Sequence, residues 1–295
     1  MPIAVKVNLQ YSSEADPARL PKVVADEIEL LTGGSIKKHL SYFVESYVVD
    51  GGRPGAARDV RLNYLSTPNS RGGAIRIAAG QLTLPLPVDP ETFRETQNHY
   101  AIFDQTVGAN PFNLFDPHIG VDLAFGSSST GLDLHLLVLK GHDKQSGLPT
   151  SGLDTMFYVQ HARGPLTLSM YGYQGRRPLR PIPDSFFRQG FGANYHSGKL
   201  VVDAVLQNGN DSSSAGLGSP EQSSGGFLQL RWAFAPELFA LARYDGTRAS
   251  TGLYRSLTLT TGRRLTQNTR LTVDDVITHA PLTKHTLTAG LLLAY

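Results

Sequence analysis

The sequence predicts an all-β protein, folded as a closed antiparallel β-barrel of about sixteen strands. Three observations favour this fold class: apolar and polar residues alternate along most of the chain, the alternating segments are about ten residues long, and the connections between them are by turns long and short. Helical periodicity is weak, because its best candidates, residues 24–31 and 91–98, are short or interrupted.

The first and last strands show the alternation most clearly. In the first segment the apolar side chains occupy every second position: Ile3, Val5, Val7, Leu9 and Tyr11. In the last segment they are Leu287, Ala289, Leu291, Leu293 and Tyr295. Because successive side chains of a strand point to opposite faces, each segment has one apolar and one polar face.

About fourteen further segments of this kind lie between the two ends. They are predicted near residues 23–33, 35–49, 57–66, 73–84, 118–126, 131–141, 153–163, 165–174, 186–196, 198–208, 225–235, 237–246, 253–263 and 268–279. The odd-numbered connections are mostly long and polar: residues 12–22, 50–56, 85–117, 142–152, 175–185, 209–224, 247–252 and 280–285. The even-numbered ones are mostly tight: residues 33–34, 67–72, 127–130, 164, 197, 235–236 and 264–267. Long loops are therefore expected at one rim and short turns at the other.

This pattern is typical of a transmembrane barrel of the bacterial outer membrane, with short periplasmic turns and long extracellular loops. Lipid cannot satisfy backbone N–H and C=O groups, so a sheet that crosses a membrane must close on itself. A soluble β-sandwich with a binding function is the alternative, since it also has many alternating strands. Nothing obliges the loops of a sandwich to alternate in length, which favours the barrel. The whole chain, residues 1–295, is predicted to form this single domain.

The composition excludes several functional classes. The 27 Lys and Arg against 25 Asp and Glu give a net charge of +2, which is too small to favour nucleic acid as a partner. Without cysteine there are no disulfides, thiolate metal sites or c-type haem attachment. No apolar run approaches the roughly 18 residues of a membrane-spanning helix. Residues 1–30 contain no export signal, so an outer-membrane location implies that a signal peptide has been removed.

Short motifs resemble those of bacterial outer-membrane porins. The C-terminal segment resembles the last strand of a porin, with apolar residues at alternate positions before the aromatic Tyr295. The sequence AAGQLTLPL at residues 78–86 is similar to a Gly-Gln-aromatic strand motif of the phosphate-selective (OprP-like) porin superfamily, although Leu82 stands where an aromatic residue is commoner. Residues 26–45 resemble the early hairpin of that superfamily. The resemblance implies a water-filled channel and a homotrimer. It does not imply phosphate selectivity, because the sequence shows no clear ladder of arginines and lysines.

The longest connection, residues 85–117, is the candidate constriction loop, because a third long loop often narrows the lumen in the porins that this chain resembles. Its charged residues are the candidate constriction residues: Asp89, Glu91, Arg94, Glu95, Asp104 and Asp116. Alternation points five arginines toward the lumen as the candidate pore wall: Arg61, Arg76, Arg231, Arg243 and Arg270. An acidic loop opposite a basic wall would create a field that orients polar solutes. The alternatives are a loop that covers a surface or an interface, and lumen charges that only pair with one another.

These observations predict an outer-membrane porin that passes small hydrophilic solutes or ions by passive diffusion. A barrel of sixteen strands is wide enough for an aqueous channel. The alternative function is a sleeve around a partner such as an electron-transfer cytochrome. An enzyme is not expected, since the sequence contains no G-x-S-x-G, phosphate-loop or dinucleotide motif, and no cofactor or metal is predicted. The expected partners are outer-membrane lipid, lipopolysaccharide and the permeating solutes.

Overall fold

Antiparallel strands account for most of the chain. The computed structural model describes residues 3–14, 22–51, 53–70, 72–91, 94–142, 149–250, 252–280 and 282–294. Within these ranges the strands are β1 (Ile3–Glu14), β2 (Lys22–Lys37), β3 (Leu40–Asp50), β4 (Arg53–Pro54), β5 (Ala57–Leu65), β6 (Gly73–Leu82), β7 (His118–Ser127), β8 (Leu132–His142), β9 (Pro149–Arg163), β10 (Leu166–Arg177), β11 (Asp184–Ser197), β12 (Leu200–Asp211), β13 (Glu221–Ala235), β14 (Leu238–Ala249), β15 (Gly252–Thr266), β16 (Thr269–Ala280) and β17 (Leu282–Ala294). A short helix, α1 (Ala101–Asp104), lies between β6 and β7. Among the described residues, no helix has the length and apolar character needed to cross a membrane.

The sheet closes on itself. Neighbouring strands pair antiparallel around the barrel, and β1 also pairs with β17, where Leu9 lies opposite Leu291. The two-residue β4 pairs with the end of β3, and the other sixteen strands form the wall. For the described part of the chain, the predicted closed antiparallel barrel of sixteen strands is confirmed, and the sandwich alternative is wrong because the first and last strands are paired. Tyr295, the predicted terminal aromatic residue, lies outside the described residues.

The wall is polar inside and apolar outside. Leu206 and Phe191 point outward with 69% and 60% of their surface exposed, whereas Arg243 and Asp274 point inward and are both 0% exposed. Alternation produces this arrangement, because neighbouring side chains of a strand face opposite sides of the sheet. A water-soluble domain has the opposite polarity, with its apolar side chains inside.

The connections form two rims of different character. The short-turn rim contains turns such as residues 198–199 and 267–268, and the long-loop rim contains residues 83–117 and 212–220. Two connections at the long-loop rim are shorter than the predicted 247–252 and 280–285, because the adjoining strands continue almost to their meeting point. The predicted alternation of loop lengths therefore holds for most of the rim and fails near the C-terminal strands.

The predicted turn at Gly33 and Gly34 is wrong. Both glycines lie within β2, opposite Phe43 and Tyr42, and the chain turns at residues 38–39. A Cβ on Gly34 would lie 3.3 Å from Tyr42 Cε1, so glycine makes room for an aromatic ring here. Glycine often indicates a turn in a sequence, but here it allows two paired strands to approach closely.

Candidate functional site

The lumen loop, residues 83–117 between β6 and β7, folds into the barrel. It binds inward-facing groups on distant parts of the wall, including Glu27 on β2, Asp211 on β12 and Asp274 on β16. Proline restricts regular structure in this segment, which contains Pro85, Pro87, Pro90, Pro111 and Pro117. The predicted loop 85–117 therefore lies inside the lumen.

Apolar packing holds the lumen loop against one side of the wall. Tyr100, Ile102, Phe103 and Phe112 are buried members of the loop. They form a cluster with inward-facing residues of β8–β13: Leu137, Leu139, Met156, Tyr158, Tyr171, Tyr173, Phe186, Val205 and Phe227. The inner wall is apolar where the loop covers it, so loop and wall share a packed core.

Arg243 on β14 anchors the middle of the lumen loop. Its guanidinium donates hydrogen bonds to Thr96 Oγ1 at 2.9 Å, to the Asn98 carbonyl at 2.9 Å and to the His99 carbonyl at 2.8 Å. The fourth partner is Asp245 Oδ2, which lies 2.8 Å from Arg243 Nε. Charge-assisted bonds of this kind are stronger than neutral ones, so Arg243 fixes residues 96–99 against β14.

Gln97 attaches the loop to the seam of the barrel. Its backbone N–H donates to Asp274 Oδ2 at 2.6 Å, and its amide donates to Thr272 Oγ1 at 2.8 Å. Asn8 on β1 donates to Gln97 Oε1 at 2.8 Å. Gly290 on β17 leaves the space for this amide, because a Cβ there would lie 2.0 Å from Gln97 Nε2.

A second anchor binds the end of the loop to β11 and β12. Asn110 Nδ2 donates to Asp211 Oδ1 at 3.0 Å, and Arg188 Nη1 lies 2.7 Å from Asp211 Oδ2. The Phe112 ring packs beside this pair, 4.3 Å from the Tyr173 ring centre. Together, the two anchors hold the lumen loop at both its middle and its end.

Two predicted constriction residues, Arg94 and Glu95, form ion pairs with the wall. Arg94 is buried and its Nη2 lies 3.3 Å from Glu27 Oε1. Glu95 Oε2 lies 2.8 Å from Arg231 Nε, and both side chains remain 23% exposed to the lumen. Burial raises the pKa of the Glu95 carboxyl, although Arg231 and Arg270 oppose the shift. Arg94 is therefore part of the anchoring, whereas Glu95 faces open space.

Glu91 and Asp89 lie where the loop passes β5. Glu91 pairs with Arg58, and the Glu91 backbone N–H donates to Asp89 Oδ1 at 2.8 Å. Arg58 also donates to the Phe115 carbonyl at 2.7 Å and lies over the Phe115 ring. Burial raises the pKa of the Glu91 carboxyl and Arg58 opposes this. This cluster joins the beginning and the end of the loop to one strand.

The other two predicted constriction residues have local partners. Asp104 Oδ2 lies 3.2 Å from His99 Nδ1, and both side chains are 37% exposed. Asp116 accepts a hydrogen bond from Asn113 Nδ2 at 2.8 Å, and its N–H donates to Asn113 Oδ1. Asp104 thus faces the lumen, while Asp116 stabilises a turn at the end of the loop.

Three of the predicted pore-wall arginines, Arg231, Arg243 and Arg270, bind the lumen loop. Arg231 reaches Glu95, and Arg270 Nη2 donates to the Arg94 carbonyl at 2.9 Å. Arg243 is completely buried beneath the loop. The three guanidinium groups therefore bind acceptors of the loop, and Arg243 is not exposed to the lumen.

The remaining two, Arg61 and Arg76, pair with carboxylates of the wall. Arg61 Nη1 lies 3.1 Å from Asp59 Oδ2, and Arg76 Nη2 lies 2.5 Å from Asp133 Oδ1. With 46% of its side chain exposed, Arg76 is much more accessible than Arg243. The structure thus disperses the five arginines among separate partners around the lumen.

Sequence reasoning missed two arginines, Arg58 and Arg177. Arg58 and its neighbour Asp59 are both buried, because a register shift between β3 and β5 interrupts the alternation. Arg177 Nη1 lies 2.8 Å from Asp154 Oδ2. Arg177 ends β10, and this strand continues into the predicted loop 175–185. The alternation of inward and outward residues continues from Tyr173 to Arg177, and it could have identified Arg177 as an inward residue.

Three cavities flank the lumen loop. The one toward the short-turn rim, about 560 Å³, is lined by polar groups that include Asp89, Glu95, Asn194, Asp203 and Arg231. Another of about 560 Å³ lies toward the long-loop rim and includes His99, Asp104, Gln105, Thr247 and Tyr254. A narrow one of about 210 Å³ lies between the loop and β3 and β5, lined by Glu45, Arg58, Asp89, Glu91 and Phe115 among others. The lumen therefore has polar cavities on both sides of the loop, and the cavity between the loop and the wall is the smallest of these three.

Solved structures of outer-membrane proteins resemble this fold. An anion-selective porin from Comamonas acidovorans shares 12% identity at a TM-score of 0.75, with 100% of this chain and 99% of that chain covered. OmpF of Salmonella typhi, in complex with daunomycin, shares 12% identity at 0.74, with 100% and 97% covered. OmpT of Vibrio cholerae in a trimer form shares 10% identity at 0.66, with 100% and 98% covered.

At the level of sequence, no protein-family model and no curated protein matches this chain. The likeness to the solved structures extends over the full barrel, and their identities of 10% to 12% limit it to architecture. The chain therefore has the fold of outer-membrane porins.

Proposed function

We propose that the protein is an outer-membrane porin, a water-filled channel for passive diffusion of small hydrophilic solutes or ions. The main support for this proposal is the polarity of the wall, which is apolar on the outside and polar on the inside. Outward leucines such as Leu136, Leu206 and Leu228 have more than half of their surface exposed, which suits lipid and not water. Inward charges such as Glu95 and Arg231 suit water and dissolved ions. The proposal includes no catalytic step.

The lumen loop supports diffusion rather than a sleeve around a protein partner. It reaches β2, β12 and β16 and therefore extends across the lumen, where a protein partner would have to fit. Two of the cavities beside the loop, about 210 and 560 Å³, have a size that suits small solutes. In this proposal Asp89, Glu91, Glu95 and Asp104 contribute charge at the constriction, with Arg61, Arg76, Arg231 and Arg270 on the wall.

Membership of the phosphate-selective (OprP-like) superfamily is part of the same proposal, without its selectivity. Its motif has a structural role here: Gly80 lies at φ +143°, where a Cβ would come 2.0 Å from the Val60 carbonyl. Gln81 donates to the backbone carbonyl of Arg58 at 3.1 Å, and Leu82 is buried. The motif thus joins β5 to β6 beside the loop, a role that needs no phosphate.

We further propose a homotrimer in contact with outer-membrane lipid and lipopolysaccharide. The trimer form of the similar OmpT supports the assembly. Asp275 supports it independently, because it lines an outward groove with Ala240, Ala242 and Leu259, where lipid would leave a carboxylate unsolvated. A partner subunit would cover this groove. Chemical cross-linking in detergent should yield a species of three chains, and a monomer alone would contradict the assembly.

The channel function is tested by reconstitution. Protein refolded in detergent and added to a planar lipid bilayer should produce discrete, long-lived steps of conductance. The same chain held unfolded in denaturant until addition is the control, and it should produce none. A protein that stays soluble without detergent and never inserts would contradict the proposal.

The membrane-facing surface makes a separate prediction. Leu206→Arg places a charge near the middle of β12 on the outward face and should lower the free energy of unfolding in bilayers by roughly 2–4 kcal/mol. Asn210→Arg, on the same strand and face near the long-loop rim, should cost only roughly 0–1 kcal/mol. Urea unfolding in lipid vesicles measures both. Equal costs would show that this face does not contact hydrocarbon.

A further inference from the structure

We infer that the constriction selects cations, both inorganic cations and small cationic solutes, through carboxylates of β3, β5 and the lumen loop. This inference rests on the proposed channel function. It concerns the narrow cavity between the loop and the wall, which is lined by charged groups of both.

The narrow cavity is acidic. Three carboxylates, those of Glu45, Asp89 and Glu91, line it together with a single cation, Arg58. Arg58 is already paired with Glu91 and bound to a loop carbonyl. Carboxyl groups therefore outnumber cationic groups in this cavity by three to one.

Glu45 is the least compensated of these groups. It lies directly opposite Asp59 in the β3–β5 pairing, and the two side chains are only 5% and 1% exposed. Like charges directly opposite each other across two strands are destabilising. Glu45 Oε1 and Asp59 Oδ1 have no hydrogen-bond partner among the described residues. A buried carboxylate without full compensation favours the entry of a positive charge.

Among the described residues, the nearby cationic side chains form no ion pair with Glu45, and Arg58 and Lys6 attract it only from a longer range. Each pairs with another carboxylate: Lys6 with Glu29, Arg58 with Glu91, and Arg61 with Asp59. The unmatched negative charge is thus local to Glu45 and its neighbours. A cation from solution can occupy this position transiently, as carboxylate rings allow in cation channels.

The rest of the interior has the same sign. Inward carboxylates of the wall are Glu27, Glu29, Glu45, Asp59, Asp122, Asp133, Asp154, Asp184, Asp203, Asp211, Asp245 and Asp274. Inward basic groups are fewer: Lys6, Arg58, Arg61, Arg76, His135, Arg177, Arg188, Arg231, Arg243 and Arg270. The lumen loop adds five acids and the single Arg94. The net charge of +2 is therefore unevenly distributed. Acidic groups outnumber basic ones in the interior, and exposed cations such as Lys140, Arg248 and Arg255 lie on the outer face.

The test is the reversal potential of the reconstituted channel under a potassium chloride gradient. Wild-type protein should give the sign of a cation-preferring pore. Glu45→Gln should lower the ratio of cation to anion permeability by about threefold, the Coulomb effect of one charge at roughly 7 Å in water. Glu237→Gln, the same substitution at an exposed residue of the short-turn rim, is the matched control and should leave the ratio unchanged.

The outcomes separate this inference from the channel proposal. Absence of conductance overturns the channel itself. Conductance with no preference, or with preference for anions, overturns cation selection and leaves the channel standing. A wild-type ratio in Glu45→Gln overturns the assignment to this carboxylate. If Glu45→Gln does not refold, Asp89→Asn removes a charge from the same cavity outside the strands and should lower the ratio in the same direction.

Discussion

Replacing Arg243 with leucine is expected to raise the single-channel conductance and to lower the free energy of unfolding by about 3–5 kcal/mol. The loss of stability follows because Asp245 would remain buried without its partner. The rise in conductance follows because residues 96–99 would lose all three hydrogen bonds to β14 and move in the lumen. Bilayer recording and urea titration in detergent measure the two effects.

Two controls separate the loop from the buried charge. The double variant Arg243→Leu with Asp245→Leu removes both ionic groups, so it should recover much of the stability while keeping the raised conductance. Arg248→Leu removes an exposed arginine from the outward face of the same strand and should change neither quantity. A destabilised Arg243→Leu channel with wild-type conductance would contradict a role of the lumen loop in restricting flow.

Replacing Phe112 with alanine is expected to destabilise the end of the lumen loop. The ring is 4% exposed and packs 4.3 Å from the Tyr173 ring and 4.6 Å from the Phe186 ring, with Arg188 beside it. Its removal leaves a cavity in a packed cluster, which typically costs about 3–5 kcal/mol. Urea unfolding measures the cost, and fluctuations of the open-channel current should increase because the loop is less tightly held.

Phe191→Ala is the matched control for this substitution. Phe191 lies on β11, the strand that also carries Phe186 and Arg188, but it points outward with 60% of its surface exposed. Its removal creates no internal cavity, so in detergent it should cost much less than Phe112→Ala. Similar costs for both variants would mean that the packing between loop and wall contributes little to stability.

The barrel could be predicted from the sequence because its physical cause is local. Each alternating segment, such as residues 119–125, separates an apolar from a polar face without reference to the rest of the chain. The lumen loop could be located for a similar reason, since no other connection is as long as residues 85–117. Its inward position rested on resemblance; in the structure the loop contacts inward-facing groups of β2 and β16, and its role as a constriction stays a prediction.

The partners of the site residues could not be predicted in the same way. Alternation shows that Arg243 and Arg76 both face the lumen, but only the path of the loop decides that Arg243 is covered and Arg76 is accessible. Arg58 could not be predicted as an inward residue, because the irregular pairing of β3 with β5 interrupts the alternation of inward and outward side chains. Contacts between residues far apart in sequence, such as Gln97 with Thr272, depend on the assembled barrel.

The seam between β1 and β17 also determines when the sheet loses its open edges, at which a strand of another copy could pair. The pairs from Lys6–Ala294 to Glu14–Thr286 join β1 to β17, so the sheet has two open edges until these two strands have paired. An open edge presents unpaired N–H and C=O groups to any other strand, including one from a second copy. Contacts across such a separation also form slowly, because the intervening chain must first be ordered. The unclosed sheet is therefore prone to aggregation, and keeping copies apart matters most before β1 and β17 have paired.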